Sequence, residues 1–550
     1  MPPLSIGKSG AACNHRAEAR PRFESEHGGI LDMAKFITAK EAASLIPNGV
    51  TVGTNGFLGA IFPEEIAQEI ENSYLASGRP NGLTLYFCAA QGDNKTKGLQ
   101  HLAYPGLIRR TIGGHYGLAR KLGELVCQNQ IEAYNFPQGV VTHLLCETAA
   151  HQPGVLTQVG LGTFADPRQS GGKMNEKTKS AEDLVRLVKV DGKDYLFYRS
   201  VPIDCALIAG TYADEDGNIS FEREGVRAEA IAMAMACKNS GGKVFVQVQG
   251  VVKSGSLHPR FVEIPGALVD YVVVASDKKY CMQNFGVQYN PGFSGEHRIS
   301  LAGVQPCELN AKKIIARRAA MELKSGGTVN LGIGVPEYIS KVAAEEGITK
   351  KFTLTVEDGI FGGNPQGGLN FGLSLNPTCI VTMPEIFDFY DGGGLDQTFV
   401  GFAEGDMSGN VNVSRFGDRI IGCGGFIDIT QNTKQVYFCG TFTAEGLKAE
   451  AGDGELHILQ EGKVNKFVKQ VQQITFSAGT ALRNGLQVMY LTERALFRLT
   501  EKGIMLCEAA PGIDLERDIF AHMPQKPLVS PDFKLMDARI FHKEKMGLKD

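Results

Sequence analysis

The sequence predicts an α/β protein of two similar open α/β domains, with mainly parallel sheets and a functional site in the cleft between them. Apolar β-branched runs alternate with helical stretches, one structural unit occurs twice, and the chain has 550 residues, severalfold more than the ~100–200 of one domain. The predicted order is a flexible tail at 1–33, a domain at 34–285, a linker at 286–309 and a domain at 310–550.

Short apolar runs between the helical stretches are predicted to be parallel strands buried on both faces, because such strands are rich in aliphatic residues and lack polar alternation. Ligands of open α/β sheets bind at the carboxyl ends of the strands, beside glycine turns. The cleft between the two halves is therefore the expected site. The predicted strands are 201–210, 244–248, 269–274, 354–356, 379–383 and 436–440.

The two halves repeat one unit, which consists of a helix, a strand, a glycine turn and a helix that opens with Pro-Glu. The strand and turn are 50–59 in the first half and 328–335 in the second, and a further similarity relates 216–220 to 408–412. The spacing of these pairs implies an insertion of roughly 80 residues in the first half. We expect this insertion at 150–200.

Composition excludes several classes of protein. The 56 basic and 60 acidic residues give a net charge of −4, which argues against nucleic acid or a membrane as partner. Apolar runs are shorter than the ~18 residues that a membrane span needs. The 12 cysteines and 11 histidines show no paired spacing, so we predict no metal, and buried cysteines in a reducing, cytoplasmic compartment.

The first 33 residues lack periodicity and are expected to form a dispensable tail. Their acidic residues are unlike a transit peptide, and they lack the apolar segment of a secretory signal. Organised structure is predicted to begin at Thr38, which forms a capping box with Glu41.

The segment around Glu357 is the most informative for chemistry. A buried strand delivers this carboxylate at its carboxyl end, and the chain then turns through Gly359, Gly362 and Gly363. The residues alone leave two interpretations open: an acceptor for the turn amides, or a nucleophile or base at a cleft. Further glycine clusters at 392–394 and 422–425 offer bare backbone that a ligand can approach. Phosphate-loop and dinucleotide-binding patterns are weak, because neither glycine spacing fits them.

Six motifs occur in order between about residue 35 and residue 546: 134–139, 162–168, 355–357, 387–396, 424–428 and 508–515. In this order and over this length the sequence resembles fused family I CoA-transferases of the short-chain acetate/propionate type. Many members of that family are two separate subunits, and the duplicated halves fit a fusion of both.

The resemblance implies that Glu357 becomes a glutamyl-CoA thioester. It also implies that Gln138 and the backbone of Gly424 and Gly425 stabilise the oxyanions. A turn-capping amide remains an alternative for Gln138, and packing alone remains one for the glycines. Coenzyme A would be substrate and covalent intermediate, with no prosthetic group. The resemblance also implies a homo-oligomer, either a dimer or a tetramer.

Further residues are expected to face the pantetheine or acyl group, with a plain turn as the alternative; they are Gly56, Gly59, Gly332, Gly334, Gly362, Gly393 and Gly394. A solvated arginine, or one paired with Asp166, is favoured for Arg168 over a role as phosphate ligand. The chain has Phe361 where the pattern of this branch, Gly-Pro-Ile-Gly-Gly, has isoleucine, and this ring is expected to narrow the acyl pocket.

The predicted function is transfer of CoA from a short-chain acyl-CoA, such as acetyl-, propionyl- or butyryl-CoA, to a short-chain carboxylic acid by a ping-pong mechanism. Acyl-CoA hydrolysis on the same scaffold is one alternative. A sugar-phosphate isomerase or ligand sensor is another, and the fused double length and the strand-end Glu357 argue against it.

Overall fold

The computed structural model describes residues 34–89, 91–300 and 307–548. The tail predicted at 1–33 lies outside the described residues. Organised structure starts with the strand Lys35–Ile37 and the helix Ala39–Ser44. The predicted capping box is confirmed: the Thr38 hydroxyl accepts from the N–H of Glu41 at 3.2 Å, and the Glu41 carboxylate accepts from the N–H of Thr38 at 2.8 Å.

An eight-stranded sheet, parallel throughout, forms the centre of the first half. The strands predicted at 201–210, 244–248 and 269–274 are confirmed, with their ends shifted by a few residues. Both faces are covered, as the apolar runs require. In spatial order the strands are Lys35–Ile37, Tyr271–Val274, Lys243–Val248, Cys205–Ala209, Thr51–Thr54, Leu83–Phe87, Ile108–Gly113 and Glu132–Asn135.

Helices cover this sheet, and two small sheets extend it. The helices after Ala39–Ser44 are Glu64–Ser77, Arg120–Cys127, Gln138–Ala149, Glu176–Lys179, Ala230–Asn239 and Pro291–Ser294. One small sheet contains Gly250–Val252, Tyr212–Asp214, Ile219–Ser220 and Val262–Ile264, and the other contains Gly154–Thr157, Lys193–Arg199 and Val185–Val190.

A ten-stranded mixed sheet forms the centre of the second half. Its five middle strands, from Thr353–Val356 to Gln487–Leu491, are parallel. In spatial order the strands are Cys379–Ile380, Ile360–Phe361, Thr353–Val356, Thr328–Leu331, Gln397–Gly401, Gln435–Cys439, Gln487–Leu491, Ala495–Thr500, Gly503–Ala509 and Leu528–Leu535.

The strand predicted at 379–383 is wrong beyond Ile380. A helix begins at Met383 instead, because Thr382 and Glu385 form a capping box in which the Glu385 carboxylate accepts from the N–H of Thr382 at 2.7 Å. The α-helices of this half are Ala311–Ala320, Glu337–Glu346, Met383–Asp391, Phe426–Gln431 and Ala478–Arg483, with a π-helical turn at Leu515–Ile519.

Short strands outside the ten-stranded sheet form hairpins and one three-stranded sheet in the second half. They are Asn364–Pro365 with Ser374–Leu375, Val411–Asn412 with Glu404–Asp406 and Phe467–Val468, Arg415–Phe416 with Arg419–Ile420, Thr443–Ala444 with Val464–Asn465, and Lys448–Gly452 with Glu455–Gln460. Single turns of 3₁₀ helix lie at Leu99–Leu102, Gly266–Leu268, Lys278–Tyr280, Gly368–Asn370, Phe520–His522 and Ala538–Phe541.

The internal duplication is visible in the hydrogen bonds of one turn. In the first half an oxygen of Asp214 accepts from the N–H groups of Asp216 and Asn218, at 3.0 and 2.9 Å. In the second half an oxygen of Asp406 accepts in the same way from residues 408 and 410, both at 3.0 Å. The two halves therefore repeat in detail as well as in outline.

Strand order repeats as well. The first strand of each repeated unit lies between the strand that follows it and a later crossover strand, in the order 205–209, 51–54, 83–87 and again 397–401, 328–331, 353–356. Between the strand 83–87 and the strand 205–209, the chain of the first half also forms strands at 108–113 and 132–135 and a three-stranded sheet. The insertion therefore begins well before residue 150, earlier than we expected.

The two halves are joined by direct backbone contacts. The N–H of Gly424 donates to the carbonyl of Gly114 at 2.7 Å, and the N–H of Tyr116 donates to the carbonyl of Ile421 at 2.6 Å. Part of the predicted linker also packs on the second half, since the N–H of Ile299 donates to the side chain of Asn376 at 2.7 Å. The domain boundaries themselves remain a prediction. Within the described ranges, every helix is too short or too polar to cross a membrane.

Candidate active site

A cavity of about 330 Å³ lies between the halves, at the carboxyl ends of the central strands. Of the catalytic residues predicted from sequence, Glu357, Gln138, Gly424 and Gly425 all line it, together with Gly332. The structure therefore brings together residues that are more than 200 positions apart in the chain. Most of the remaining wall is apolar.

The strand Thr353–Val356 and the turn after it hold Glu357 in place. The Thr355 side chain accepts a hydrogen bond from the Tyr390 hydroxyl at 2.9 Å, which fixes the end of the strand. Gly359 has φ +112°, and a Cβ there would collide with the carbonyl of Val381. Only glycine fits this turn. The side chain of Glu357 consequently faces the cavity.

The Glu357 carboxylate has no hydrogen-bond partner among the described residues, and burial raises its pKa to about 7. The turn amides bond to backbone carbonyls instead: Gly359 donates to Val356 at 3.1 Å and Gly362 donates to Leu354 at 2.7 Å. The interpretation of Glu357 as an acceptor for the turn amides therefore has no support in the geometry. A carboxylate held without partners in an apolar cavity is suited to attack or proton transfer.

Gln138 lines the same cavity, at the start of the helix Gln138–Ala149. Its backbone N–H donates to the carbonyl of Gly424 at 3.0 Å. Among the described residues, its side-chain amide makes a single weak contact, to the Met383 sulfur at 3.5 Å, and caps no turn. The amide therefore remains available to a ligand in the cavity.

Gly424 and Gly425, which also line the cavity, differ in whether their backbone N–H is free to bind a ligand. Gly424 has φ +53°, and its N–H already donates to Gly114. The N–H of Gly425 has no acceptor among the described residues, and it stands at the start of the helix Phe426–Gln431. A Cβ on Gly425 would lie 3.1 Å from the Phe387 ring, so this glycine is also tightly packed. The free amide at this wall is that of Gly425.

The loop 53–59 contributes side chains rather than glycines to the cavity. Phe57 and Leu58 line it. Gly56 donates its N–H to the Glu229 carboxylate at 3.3 Å, and a Cβ on Gly59 would lie 2.8 Å from the Asn284 side chain. These two glycines thus shape the loop and do not line the cavity themselves.

The remaining predicted glycines fall into two groups. Gly332 lines the cavity, whereas Gly334 lies just beyond it and donates its N–H to Glu337 at 2.7 Å. Gly362, Gly393 and Gly394 do not line it: Gly362 packs against Thr378, and the other two follow the helix Met383–Asp391.

Phe361 does not narrow this cavity, contrary to our expectation. Its ring packs edge-on against Phe389, with the ring centroids 5.5 Å apart, and lines a separate cavity. Phe361 pairs with Cys379 in a neighbouring strand, which holds its ring away from the cavity. Because Cys379 lies outside the motif around Glu357, the motif alone did not reveal this.

Arg168 pairs with Asp166, as we favoured. The guanidinium donates to the fully buried Asp166 carboxylate at 2.6 Å and also contacts Asp194 at 2.9 Å. The hydrogen bond from Arg168 and the N–H groups of Gly162 and Arg168 outweigh burial, so the pKa of Asp166 lies below its usual value.

A group of buried acids behind the cavity was missed in the sequence. Asp358 and Asp428 are fully buried, and neither has a hydrogen-bond partner for its carboxyl group within the described part of the chain. Burial raises the pKa of both well above the usual range, and a neighbouring acid adds to this effect: Glu357 for Asp358, and chiefly Asp391 for Asp428. Their positions in the sequence could have pointed to the site, since Asp358 directly follows Glu357 and Asp428 ends the motif 424–428.

His115 is a further residue of the site that was not identified from the sequence. It lines the cavity next to Gly424, and burial lowers the pKa of its imidazole to about 4. The ring is therefore neutral near pH 7. Within the described residues, no group of three or more His, Cys, Asp or Glu side chains is arranged to hold a metal ion.

Known proteins match this chain over nearly its full length. Residues 36–275 match the family model described as Coenzyme A transferase. The chain is 46% identical over 521 residues to the caffeate CoA-transferase of Acetobacterium woodii, covering 94% of this chain and 99% of that protein. It is 44% identical over 512 residues to the acetate CoA-transferase YdiF of Escherichia coli (strain K12), covering 93% of this chain and 96% of that protein.

Solved structures of an acyl-CoA transferase have a similar fold over nearly the whole chain. The acyl-CoA transferase YdiF apoenzyme from Escherichia coli O157:H7 has a TM-score of 0.90 at 42% identity, covering 96% of this chain and 99% of that one. A structure of the same protein as a thioester complex with CoA gives 0.89, with the same identity and coverage.

Fold and cavity thus define a two-domain α/β enzyme with a carboxylate at the domain interface. The chain belongs to the coenzyme A transferase family, as a member in which both halves are fused. It is an acyl-CoA:carboxylate CoA-transferase, and coenzyme A is its substrate.

Proposed function

We propose that the enzyme transfers CoA from a short-chain acyl-CoA, such as acetyl-, propionyl- or butyryl-CoA, to a short-chain carboxylic acid through a glutamyl-CoA thioester on Glu357. The observation that carries this proposal is the Glu357 carboxylate, which faces an apolar cavity and has no hydrogen-bond partner among the described residues. A carboxylate held in an apolar cavity, without a partner among the described residues, is suited to act as a nucleophile. The YdiF relative, whose structure includes a thioester complex with CoA, supports the same chemistry.

The reaction proceeds in two matched halves. Glu357 attacks the acyl carbonyl of the donor, which forms an acyl-glutamyl anhydride and releases CoA thiolate. The thiolate attacks the glutamyl carbonyl, so that a thioester forms on the enzyme and the first acid leaves. The acceptor acid then reverses both steps, and its acyl group leaves as the new acyl-CoA.

Each attack places negative charge on a carbonyl oxygen. We assign stabilisation of these oxyanions to the Gln138 side-chain amide and to the N–H of Gly425, because both residues line the cavity. One such donor is commonly worth ~3–4 kcal/mol in the transition state. Gly424 contributes by holding the Gln138 backbone, and Gly332 by leaving room for the pantetheine arm.

A sugar-phosphate isomerase or sensor is disfavoured by the cavity itself. A phosphate needs cations or several N–H donors, and the described residues that line this cavity include no lysine or arginine. Hydrolysis of acyl-CoA differs from transfer only in the acceptor, and no feature of the cavity favours water over an acid.

Initial-rate kinetics test the proposal. Donor and acceptor varied together should give parallel double-reciprocal lines, as expected for a covalent enzyme intermediate, and butyryl-CoA with acetate should yield acetyl-CoA. Intersecting lines would contradict the thioester intermediate. Release of free CoA without acetyl-CoA would identify a hydrolase.

Assembly and location belong to the proposal as well. We propose a homo-oligomer, either a dimer or a tetramer, that works in the cytoplasm. Light scattering of the purified enzyme measures its oligomeric state, and fractionation of the source cells measures its location.

A further inference from the structure

No lysine or arginine is found among the described residues that line the cavity around Glu357. Of the described residues that line it, only Glu357, His115 and Cys423 can titrate. His115 is neutral near pH 7, because burial holds its pKa at about 4. A ligand group with a second negative charge would consequently lose its water without gaining a cationic partner, which is strongly unfavourable.

Lys466 lies behind the cavity wall, with an aromatic ring between its ammonium and the cavity. Phe402 lines the cavity, whereas Lys466 does not. The Lys466 ammonium sits over the Phe402 ring, 4.2 Å from its centroid, and the lysine is only 8% exposed. Burial lowers the pKa of this ammonium to about 8. The Phe402 ring therefore prevents a ligand in the cavity from contacting the Lys466 ammonium directly.

The size of the cavity exceeds what acetate needs. An apolar protein cavity of ~150 Å³ is large enough to hold benzene, and this cavity has about 330 Å³. The space therefore accepts the sulfur end of CoA together with an acyl group larger than acetyl.

We propose that the cavity selects monocarboxylic acids with an apolar body of roughly four to six carbons over dicarboxylic acids, and that Phe402 enforces this selection by covering Lys466. The inference rests on the proposed function and names its substrate class. Each buried methylene group is expected to improve the specificity constant about fourfold. A second carboxylate in the same place gains no partner.

The half-reaction of the acceptor tests this directly. The enzyme–CoA thioester is formed with acetyl-CoA, freed of acetate, and mixed with acetate, pentanoate or succinate, while intact-protein mass and the new acyl-CoA are followed. Pentanoate has three more methylene groups than acetate, so it should discharge the thioester about sixtyfold faster than acetate. It should also react about a hundredfold faster than succinate. Succinate at the rate of pentanoate would overturn the inference. If no thioester forms at all, the proposed function itself fails, which is a separate result.

A pair of variants tests the role of Phe402. Phe402→Ala should open a path between Lys466 and the cavity, and the ratio of pentanoate to succinate rates should fall about tenfold. The matched control, Phe402→Ala with Lys466→Met, lacks the cation and should restore the ratio. Phe402→Leu replaces Phe402→Ala if the alanine variant does not fold. A folded variant with an unchanged ratio would overturn the role of Phe402.

Discussion

The backbone N–H of Gln138, in the first half, donates to the carbonyl of Gly424, in the second half, at 3.0 Å. The next bond, from the N–H of Gly424 to the carbonyl of Gly114, returns to the first half at 2.7 Å. These two bonds hold Gln138 of the first half against Gly424 of the second half. Both residues line the cavity that Glu357 faces. Each half alone therefore holds only part of the site.

The pH dependence of the first half-reaction should follow the ionisation of Glu357. Attack needs the carboxylate, and burial raises the pKa of this group to about 7. The rate of thioester formation should therefore rise with pH and level off above pH 7, with about a tenfold loss per unit below it. Rapid-quench measurement from pH 5 to 9 checks this. A rate that stays constant down to pH 5 would show an ordinary carboxylate.

Glu357→Gln should stabilise the protein at pH 8. A carboxyl with a raised pKa binds its proton more tightly when folded, so its contribution to stability is lost as pH rises from 4.5 towards 7. At 1.36 kcal/mol per unit, the ionised Glu357 costs at most about 3 kcal/mol. Urea unfolding should show the variant more stable at pH 8 and similar to the parent at pH 4. A less stable variant at pH 8 would mean that Glu357 has a stabilising partner.

Gly139→Ala should disturb the wall that carries Gln138. A Cβ at this position would lie 2.5 Å from the Asp428 carboxyl and 2.9 Å from the Phe387 ring. We expect at least a tenfold loss of transfer and a lower melting temperature. Gly123→Ala is the control, since its Cβ would find only Ile420 at 3.5 Å, and helix propensity should then stabilise it by about 0.5–1 kcal/mol. Full activity in Gly139→Ala would remove Gly139 from this wall.

Much of the framework was predictable because its determinants are local. Apolar runs mark strands buried on both faces, and the turn after residues 353–356 identifies the Glu357 carboxylate. The short run 379–383 failed because a few apolar residues suit a strand or a helix start equally well, and the capping box at Thr382 decided between them.

The buried acids and His115 depend on non-local packing and so gave little signal. Asp428 loses its water only because the helices Gln138–Ala149, Met383–Asp391 and Phe426–Gln431 pack together across the two halves. Likewise, the separation of Lys466 from the cavity depends on Phe402, 64 residues earlier in the chain. Neither relationship follows from spacing along the sequence.

Arg168→Gln should affect stability rather than CoA binding. Its guanidinium pairs with the buried Asp166 carboxylate, and removing one partner leaves a buried charge uncompensated. We expect a destabilisation of about 1–3 kcal/mol, with the KM for acyl-CoA changed less than twofold. Denaturant unfolding and initial rates measure the two effects. A tenfold rise in KM would instead assign Arg168 to the CoA phosphates.

The central claim is that Glu357 carries CoA as a thioester. Intact-protein mass spectrometry after incubation with acetyl-CoA, followed by peptide mapping, tests it most directly. The parent enzyme should gain the mass of CoA less water, located on Glu357, and freshly prepared Glu357→Gln should gain none and lose transfer by several orders of magnitude. An adduct on another residue, or a folded Glu357→Gln variant with near-native transfer and no deamidation, would contradict the account.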